Sequence, residues 1–283
     1  MHPDKELAAR LGFLLCACLS VAALALICFF LLSGALPAIR EIGLIPFLTG
    51  TVLRPSQGLY GILPMILGSL CVTAGALVLG VPVAILTAVY LTRFCPRRLR
   101  RPLRWAVDLL AGIPSIVFGF FFLAEVVPRL QRLLAGGGKG ILTASLLLAV
   151  MILPTVITVA ASALDAVDGS CYESALALGA THERSVFAAV VPAARSGLLA
   201  ASVLGMGRAV GETMAVTMVA GNQAMIPSGF LSGVRTLTAN IVMEMGYAAG
   251  LHRQALIATG LVLFCFILAI NLAVAALRRR RRP

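Results

Sequence analysis

The sequence predicts an all-α protein that crosses a membrane six times with both ends on the cytoplasmic side, and three observations carry that reading. Of its 283 residues, 60% are apolar and 12% are Asp, Glu, Lys or Arg, against about 45–50% and 25% in soluble domains. The apolar residues are gathered into runs of the length that a hydrocarbon core about 30 Å thick demands, roughly 20 residues per helix. The formal net charge of +12 is concentrated between those runs, where arginine acts as a topology signal. A nucleic-acid role for the basic segments is disfavoured, because no aromatic platform for base stacking accompanies them.

Residues 1–10 are polar, and 11–33 form an almost unbroken apolar run. Ser33, Gly34 and Ala35 resemble a signal-peptide cleavage site. The run exceeds the roughly 7–15 residues of a signal core, so 1–35 is expected to be an uncleaved anchor helix. Residues 36–60 carry Pro37, Pro46, Pro55 and Gly58 among charges, the chemistry of an extracytoplasmic loop with at most a short surface helix. The remainder, 61–283, holds five further spans.

The second span, 61–91, is longer than a straight crossing needs and contains Gly80 and Pro82, which predicts a bend or tilt. Residues 93–104 place six arginines in twelve positions, a cytoplasmic loop by the positive-inside rule. A third span is expected at 105–127 with a Gly112-Ile113-Pro114-Ser115 interruption, and 128–140 forms a short outer loop. The run GGGKG ending that loop is not a phosphate-binding loop, because Lys139 is followed by Gly140 rather than Ser or Thr and the upstream Gly is missing. The fourth span is 141–164, with Pro154 inside it, and the fifth is 196–220. A polar outer segment, 221–253, leads to the sixth at 254–277 and a tail of five arginines.

With both termini inside, 15 Lys and Arg lie in cytoplasmic segments (Lys5, Arg10, the six of 93–104, Arg184, Arg195 and Arg278 to Arg282) against seven outside, and the reverse topology is disfavoured. Cys16, Cys18, Cys28, Cys71 and Cys265 fall in spans, and Cys95 and Cys171 in cytoplasmic loops, so no disulfide framework is expected. His2, His182 and His252 lie on separate segments with no metal-ligand spacing, and neither a metal site nor a cofactor is predicted.

The costly residues are in the fifth span, where Arg208 and Glu212 interrupt apolar sequence. On insertion scales each charge costs about 2.5–3.5 kcal/mol at mid-membrane, so a partner or a wet path is required. If the helix is continuous, the i, i+4 spacing puts both on one face, about 6 Å apart along the axis, where they can pair. Such a pair either fixes helix packing or lines a transport path. Gly207 and Gly211 form a small-xxx-small pattern that lets a helix approach. Ser115 and Thr155 stand beside helix-breaking prolines, while Thr213 and Thr217 share the span of the charged pair. The competing reading of all four is that their hydroxyls bond their own backbone.

Between the fourth and fifth spans, 165–195 is polar and helix-prone. Ala175, Leu176, Leu178 and Gly179 share one side of a short helix, Thr181 to Arg184 break the pattern, and Pro192 closes it. By pattern alone this is either an amphipathic loop on the headgroups or a socket for an external partner. The string resembles the cytoplasmic loop of ABC-transporter permeases, Glu-Ala-Ala, three residues, Gly, nine residues, Ile-x-Leu-Pro. Glu173, Ala175, Gly179 and Pro192 stand at matching places, with Ser174 for the first Ala and Ala189 and Val191 for Ile and Leu. The resemblance implies that Glu173, Ala175, Gly179, Ala180 and Pro192 dock on an ATPase.

A wider resemblance runs over nearly the whole chain. GRAVGETMAVTMVAGN, RTLTANIVMEMGYA, YGILPMILGSL, CPRRLRRP, LLAGIPSIVFG and VMILPTVITV look like the PstC-type permeases of phosphate-specific ABC importers; Cys171 departs from that family's usual charged residue. This implies the type I ABC importer permease fold in an inner, cytoplasmic membrane, with a second homologous permease, an ATP-binding dimer and an extracytoplasmic phosphate-binding protein as partners, and no ATPase site in this chain. It also implies an anion path, for which Arg208 is the natural donor; Glu212 would temper its hold, and Ser115, Thr155, Thr213 and Thr217 would support it. Arg235, with Thr236, Thr238 and Asn240, would line the entrance or meet the binding protein. Alternatives are a sulfate or molybdate permease of the same class and, from other classes, a secondary carrier with a proton on Glu212 and a membrane scaffold, against which the charged pair argues.

Overall fold

The computed structural model describes residues 3–134 and 137–280. Four helices are long and apolar enough to cross a membrane by themselves, at Arg10–Ile42, Leu63–Phe94, Ile141–Asp165 and Gly250–Ala273. Two bent helix pairs are further candidates, Arg97–Gly112 with Ser115–Leu134 at 92° and His182–Ala193 with Arg195–Gly211 at 69°. By length and composition the structure therefore holds four to six crossings, six if each bent pair is one.

Helix α1 (Pro3–Ile42) runs seven residues past the predicted end of the anchor, straight through Pro37. Ala35 and Ala38 on it are fully buried in a cluster with Phe47, Ile62, Leu237 and Ala258, and that packing offsets the hydrogen bond which proline removes. A short α2 (Leu44–Thr49) and an antiparallel hairpin, β1 (Leu53–Arg54) and β2 (Leu59–Tyr60), make up the outer segment.

The core is the pair α3 (Leu63–Val89) and α7 (Ile141–Asp165), whose contact buries Val72, Ala76, Ala84, Leu147, Leu148, Met151 and Ile152. Backbones approach closely because α3 is glycine-rich on this side: a Cβ on Gly75 would sit 2.4 Å from Ser145 Oγ, and one on Gly80 2.9 Å from Ala149 O. The Ser145 hydroxyl donates to Val72 O at 3.2 Å across the contact, a bond favoured where no water competes. Pro154 is buried inside α7 without breaking it, so Thr155 does not stand at a helix break as predicted.

The basic segment is not a loop. A wide turn, Tyr90–Phe94, continues α3, and α4 (Arg97–Gly112) begins three residues later with no buried residue. Arg100 and Arg104 of α4 pair with Asp165 at the end of α7 at 3.2 and 3.0 Å. The expected interruption is real: Ile113 and Pro114 are extended, and α5 (Ser115–Phe121) leads through a second wide turn into α6 (Val127–Leu134). Its position is set by Gly119, where a Cβ would lie 2.9 Å from Ala215 Cα.

The loop after α7 holds α8 (Gly169–Ala177), α9 (His182–Ser185), a wide turn at Val186–Val190 and α10 (Val191–Ala193). Then come α11 (Arg195–Gly211), α12 (Met214–Val219), α13 (Leu237–Met245) and α14 (Gly250–Arg280). The outer segment between α12 and α13 folds back onto the start of α7, where Val219 O, Ser232 O and Phe230 O accept from Gly140 N, Ile141 N and Leu142 N at 2.9–3.1 Å. Those amides of the GGGKG region are thereby occupied by backbone carbonyls.

Candidate functional site

The fifth crossing is broken at its charged residues. Helix α11 stops at Gly211, Glu212 is extended (φ −71°, ψ 128°), and Thr213 (φ −120°, ψ −60°) starts α12. Several of the groups the break exposes find partners. The Glu212 carboxylate accepts from Ala215 N at 3.2 Å, and Thr238 Oγ1 donates to Glu212 O at 3.3 Å. The Thr213 hydroxyl donates to Gly211 O at 3.1 Å, and that of Thr217 to Thr213 O at 2.7 Å. Unpaired backbone groups inside a membrane cost several kcal/mol each, so these bonds let the chain turn there.

The predicted i, i+4 pair does not form. Glu212 has left the helix, no ion pair joins it to Arg208 among the described residues, and Arg208 is exposed on the last turn of α11. Close approach occurs at Gly205, where a Cβ would meet Val156 Cγ2 at 2.5 Å, while Gly207 and Gly211 have nothing within 4 Å. Glu212 instead borders a small cleft with Ser69, Thr73, Thr236 and Thr238. Ser69 Oγ also accepts from Leu237 N at 2.9 Å, tying α13 to α3.

Ser115 opens α5 just past the other break and is half-buried, as is Thr155 on α7. Since α5 packs on α12 through Gly119 and Ala215, the fold puts two discontinuous helices side by side. Arg235 lies elsewhere, in the outer segment. Its guanidinium is largely buried and donates to Glu244 at 2.8 Å, Asn240 Oδ1 at 3.2 Å and Asn222 O at 3.2 Å. Glu244 also accepts from Tyr247 Oη and faces His252 Nε2 at 3.6 Å; the bond from Tyr247 and burial beside this carboxylate push the phenol above its usual pKa of 10.0. Sequence reading missed Glu244 and His252 as partners, because no helical period connects them to Arg235.

The loop between α7 and α11 is built to be touched. Helix α8 has no buried residue, Glu173 is exposed, and Leu178 is 89% exposed. Asp168 caps α8 by accepting from Ser170 N at 2.8 Å, and this bond holds its carboxyl below the ordinary value of 3.8. Gly179 ends α8 with φ +81°. Gly179 N donates to Leu176 O at 2.9 Å and Ala180 N to Ala175 O at 3.1 Å, the paired bonds of a left-handed helix terminus that favours glycine. Thr181 then caps α9, accepting from Arg184 N at 3.4 Å. Beside it, Glu183 is held below its usual pKa by its own backbone amide first and by the Thr181 hydroxyl second. Ser185, Val186 and Val190 are fully buried and anchor the second half, while Pro192 is exposed at the start of α10.

Residues 80–283 match the family described as binding-protein-dependent transport system inner membrane component. The chain is 37% identical over 266 residues to the phosphate transport system permease protein PstC of Mesorhizobium japonicum, covering 87% of this chain and 81% of that one. It is 35% identical over 284 residues to the probable ABC transporter permease protein YqgH of Bacillus subtilis, covering 98% and 92%. Among solved structures, an inward-facing crystal form of the MetNI methionine ABC transporter superposes with TM-score 0.65 at 19% identity, over 82% of this chain and all of that one. A bacterial ABC transporter involved in import of the acidic polysaccharide alginate superposes with TM-score 0.64 at 15% identity, over 99% of this chain and all of that one.

Proposed function

The chain belongs to the family of binding-protein-dependent transport system inner membrane components, and we propose that it is one permease subunit of an ATP-driven phosphate importer. As a multi-pass inner-membrane permease it forms half of the path. The other half is a homologous permease, energy comes from a separate ATP-binding dimer, and phosphate is delivered by an extracytoplasmic binding protein. Both termini face the cytoplasm. The observation that carries this reading is the exposed Arg208 beside the Glu212 break, in a chain that matches permeases named for phosphate transport over most of its length.

The chemistry follows from that geometry. A guanidinium stays charged and offers paired donors to a tetrahedral oxyanion, and among the described residues Arg208 has no carboxylate partner to compete with the passing anion. Glu212, fixed by its bond to Ala215 N, places a carboxyl group just past the end of α11, so the anion is held briefly and released, as conduction requires. Thr213, Thr217 and Thr238 hold the break open, and Ser115 presents the neighbouring break. Thr155 flanks the path, and Arg235 shapes its outer end through Glu244. Closure of the ATPase pair on α8 moves the loop containing Glu173, Ala175, Gly179, Ala180 and Pro192. The broken crossings then swing and expose the path alternately.

The test is radiolabelled phosphate uptake into vesicles holding the complete complex. Uptake should require ATP, survive collapse of the proton gradient, and be competed by unlabelled phosphate but not by sulfate or molybdate. ATP-independent uptake that follows the proton gradient would defeat the importer reading, and equal competition by sulfate would defeat the assignment of phosphate.

A further inference from the structure

We propose that His182 is the positioning residue that transmits motion of the docking loop to α3, a helix with which the loop has no covalent continuity. The proposal rests on the reading that α8 docks on an ATPase.

The loop is joined by its own backbone to α7 on one side and, through α10, to α11 on the other. Any coupling to α3, the other half of the core pair, must go through side chains. Among the described residues, one hydrogen bond leaves residues 169–190 for a helix other than these two, from His182 to the wide turn that ends α3. His182 Nε2 lies 3.2 Å from Arg93 O, and Nδ1 lies 2.7 Å from Tyr172 Oη on α8. A carbonyl can only accept, so Nε2 carries the proton, and Nδ1 accepts from the tyrosine hydroxyl. The imidazole is thus clamped from both sides, and its two bonds point to two different elements.

Ring contacts fix its plane as well. Phe94 meets the imidazole edge-on at 4.8 Å and 68°, and Tyr172 at 5.7 Å and 80°. The link then continues. Arg93, whose carbonyl receives the imidazole proton, sends its own Nη2 to Leu164 O in the last turn of α7 at 2.6 Å. Tyr172, His182, Arg93 and Leu164 therefore form one unbroken run from the exposed α8 to the inner ends of α3 and α7. Those two helices interlock through Gly75 and Gly80, so they respond as one body. A displacement of α8 relative to α3 must stretch the two imidazole bonds or carry α3 with it, and the ring contacts leave the imidazole no free rotation by which to yield.

The experiment uses the complete reconstituted complex and reads three quantities: retention of the ATPase subunit, ATP hydrolysis, and phosphate transported per ATP. His182→Ala should keep the ATPase bound and hydrolysing while phosphate per ATP falls about 5-fold or more, the lower end of coupling effects between sites. His182→Gln, whose amide NH2 reaches the position of Nε2 and can donate to Arg93 O, should recover most of that ratio. Tyr172→Phe, which removes only the hydroxyl, should give an intermediate loss. A wild-type ratio in His182→Ala overturns the proposal. So does a loss that His182→Gln fails to recover, or one accompanied by release of the ATPase, since either would make His182 a packing residue of the loop. Leu178→Asp on the exposed face of α8 separates the two readings. If it neither releases the ATPase nor uncouples transport, the docking reading fails and the transmission role fails with it. If Leu178→Asp disrupts coupling and His182→Ala does not, only the transmission role is wrong.

Discussion

Arg208→Gln separates an isolated path cation from one member of an ion pair, because the two arrangements differ in stability by more than measurement error. Arg208 sits on the last turn of α11, exposed and, among the described residues, without a carboxylate partner. Removing its charge forfeits the favourable interaction with the helix C-terminus, about 0.5 kcal/mol. A true buried pair would leave Glu212 uncompensated and cost roughly 3–5 kcal/mol. Glu212→Gln keeps an oxygen to accept from Ala215 N, whereas Glu212→Ala loses that cap at about 1 kcal/mol. Thermal melting of the purified complex should therefore show near-additive effects, with a coupling term under about 0.5 kcal/mol in the Arg208→Gln, Glu212→Ala cycle. Phosphate uptake behaves differently. Loss of the charge-assisted bonds to the anion, about 1.5–3 kcal/mol, should slow uptake roughly 10- to 100-fold in Arg208→Gln. The charge-swapped double variant, Arg208→Glu with Glu212→Arg, should assemble and still fail to transport. A coupling term above about 2 kcal/mol, or recovery of uptake by the swap, would refute the separate-roles argument.

Gly179→Ala forces a Cβ into a left-handed backbone with φ +81° but meets no atom within 4 Å. The strain, roughly 1–2 kcal/mol, should stay local: insertion is expected to be normal in membrane fractionation while ATP hydrolysis loses its link to uptake, and Gly179→Asn should be milder. Glu244→Ala leaves the largely buried Arg235 unpaired and should lower stability by about 3 kcal/mol or more, far beyond Arg208→Gln, in the same melting assay. Because the folded Asp168 carboxyl titrates below its usual value, its support of α8 is complete above that value and is lost as pH falls through the folded one. Amide exchange of 169–177, corrected for intrinsic rates, should accelerate in that acid range, and Asp168→Asn should flatten the response. In a cysteine-free background, single cysteines at Gln57 and Phe230 should react with an impermeant thiol reagent from outside, and ones at Arg98 and Arg184 should not; the opposite pattern would invert the topology.

What the sequence determines alone is whatever depends on local composition and period. The apolar runs locate three crossings to within a few residues because a bilayer imposes one length on them, and the Gly112 to Ser115 interruption marks a real break because the residue before a proline is biased toward extended backbone. Gly179 is legible for the same reason, since a left-handed terminus needs glycine whatever surrounds it. Other features depend on groups remote in sequence. Residues 205–219 read as one continuous helix, and only Thr238, arriving on the first turn of α13 to bond Glu212 O, together with the hydroxyls of Thr213 and Thr217, lets the chain turn there. Pro37 fails to end α1 because Ala35 and Ala38 pack into a cluster drawn from α2, α3 and α14. Arg235 looks like a free cation until α13 brings Glu244 against it, and His182 looks like a loop polar residue until α3 delivers the carbonyl of Arg93. In each case a short-range preference competes with hydrogen bonds or burial supplied from outside the residue's own element. In an interior that excludes water those long-range bonds decide, because an unmet polar group there costs more than any local propensity returns.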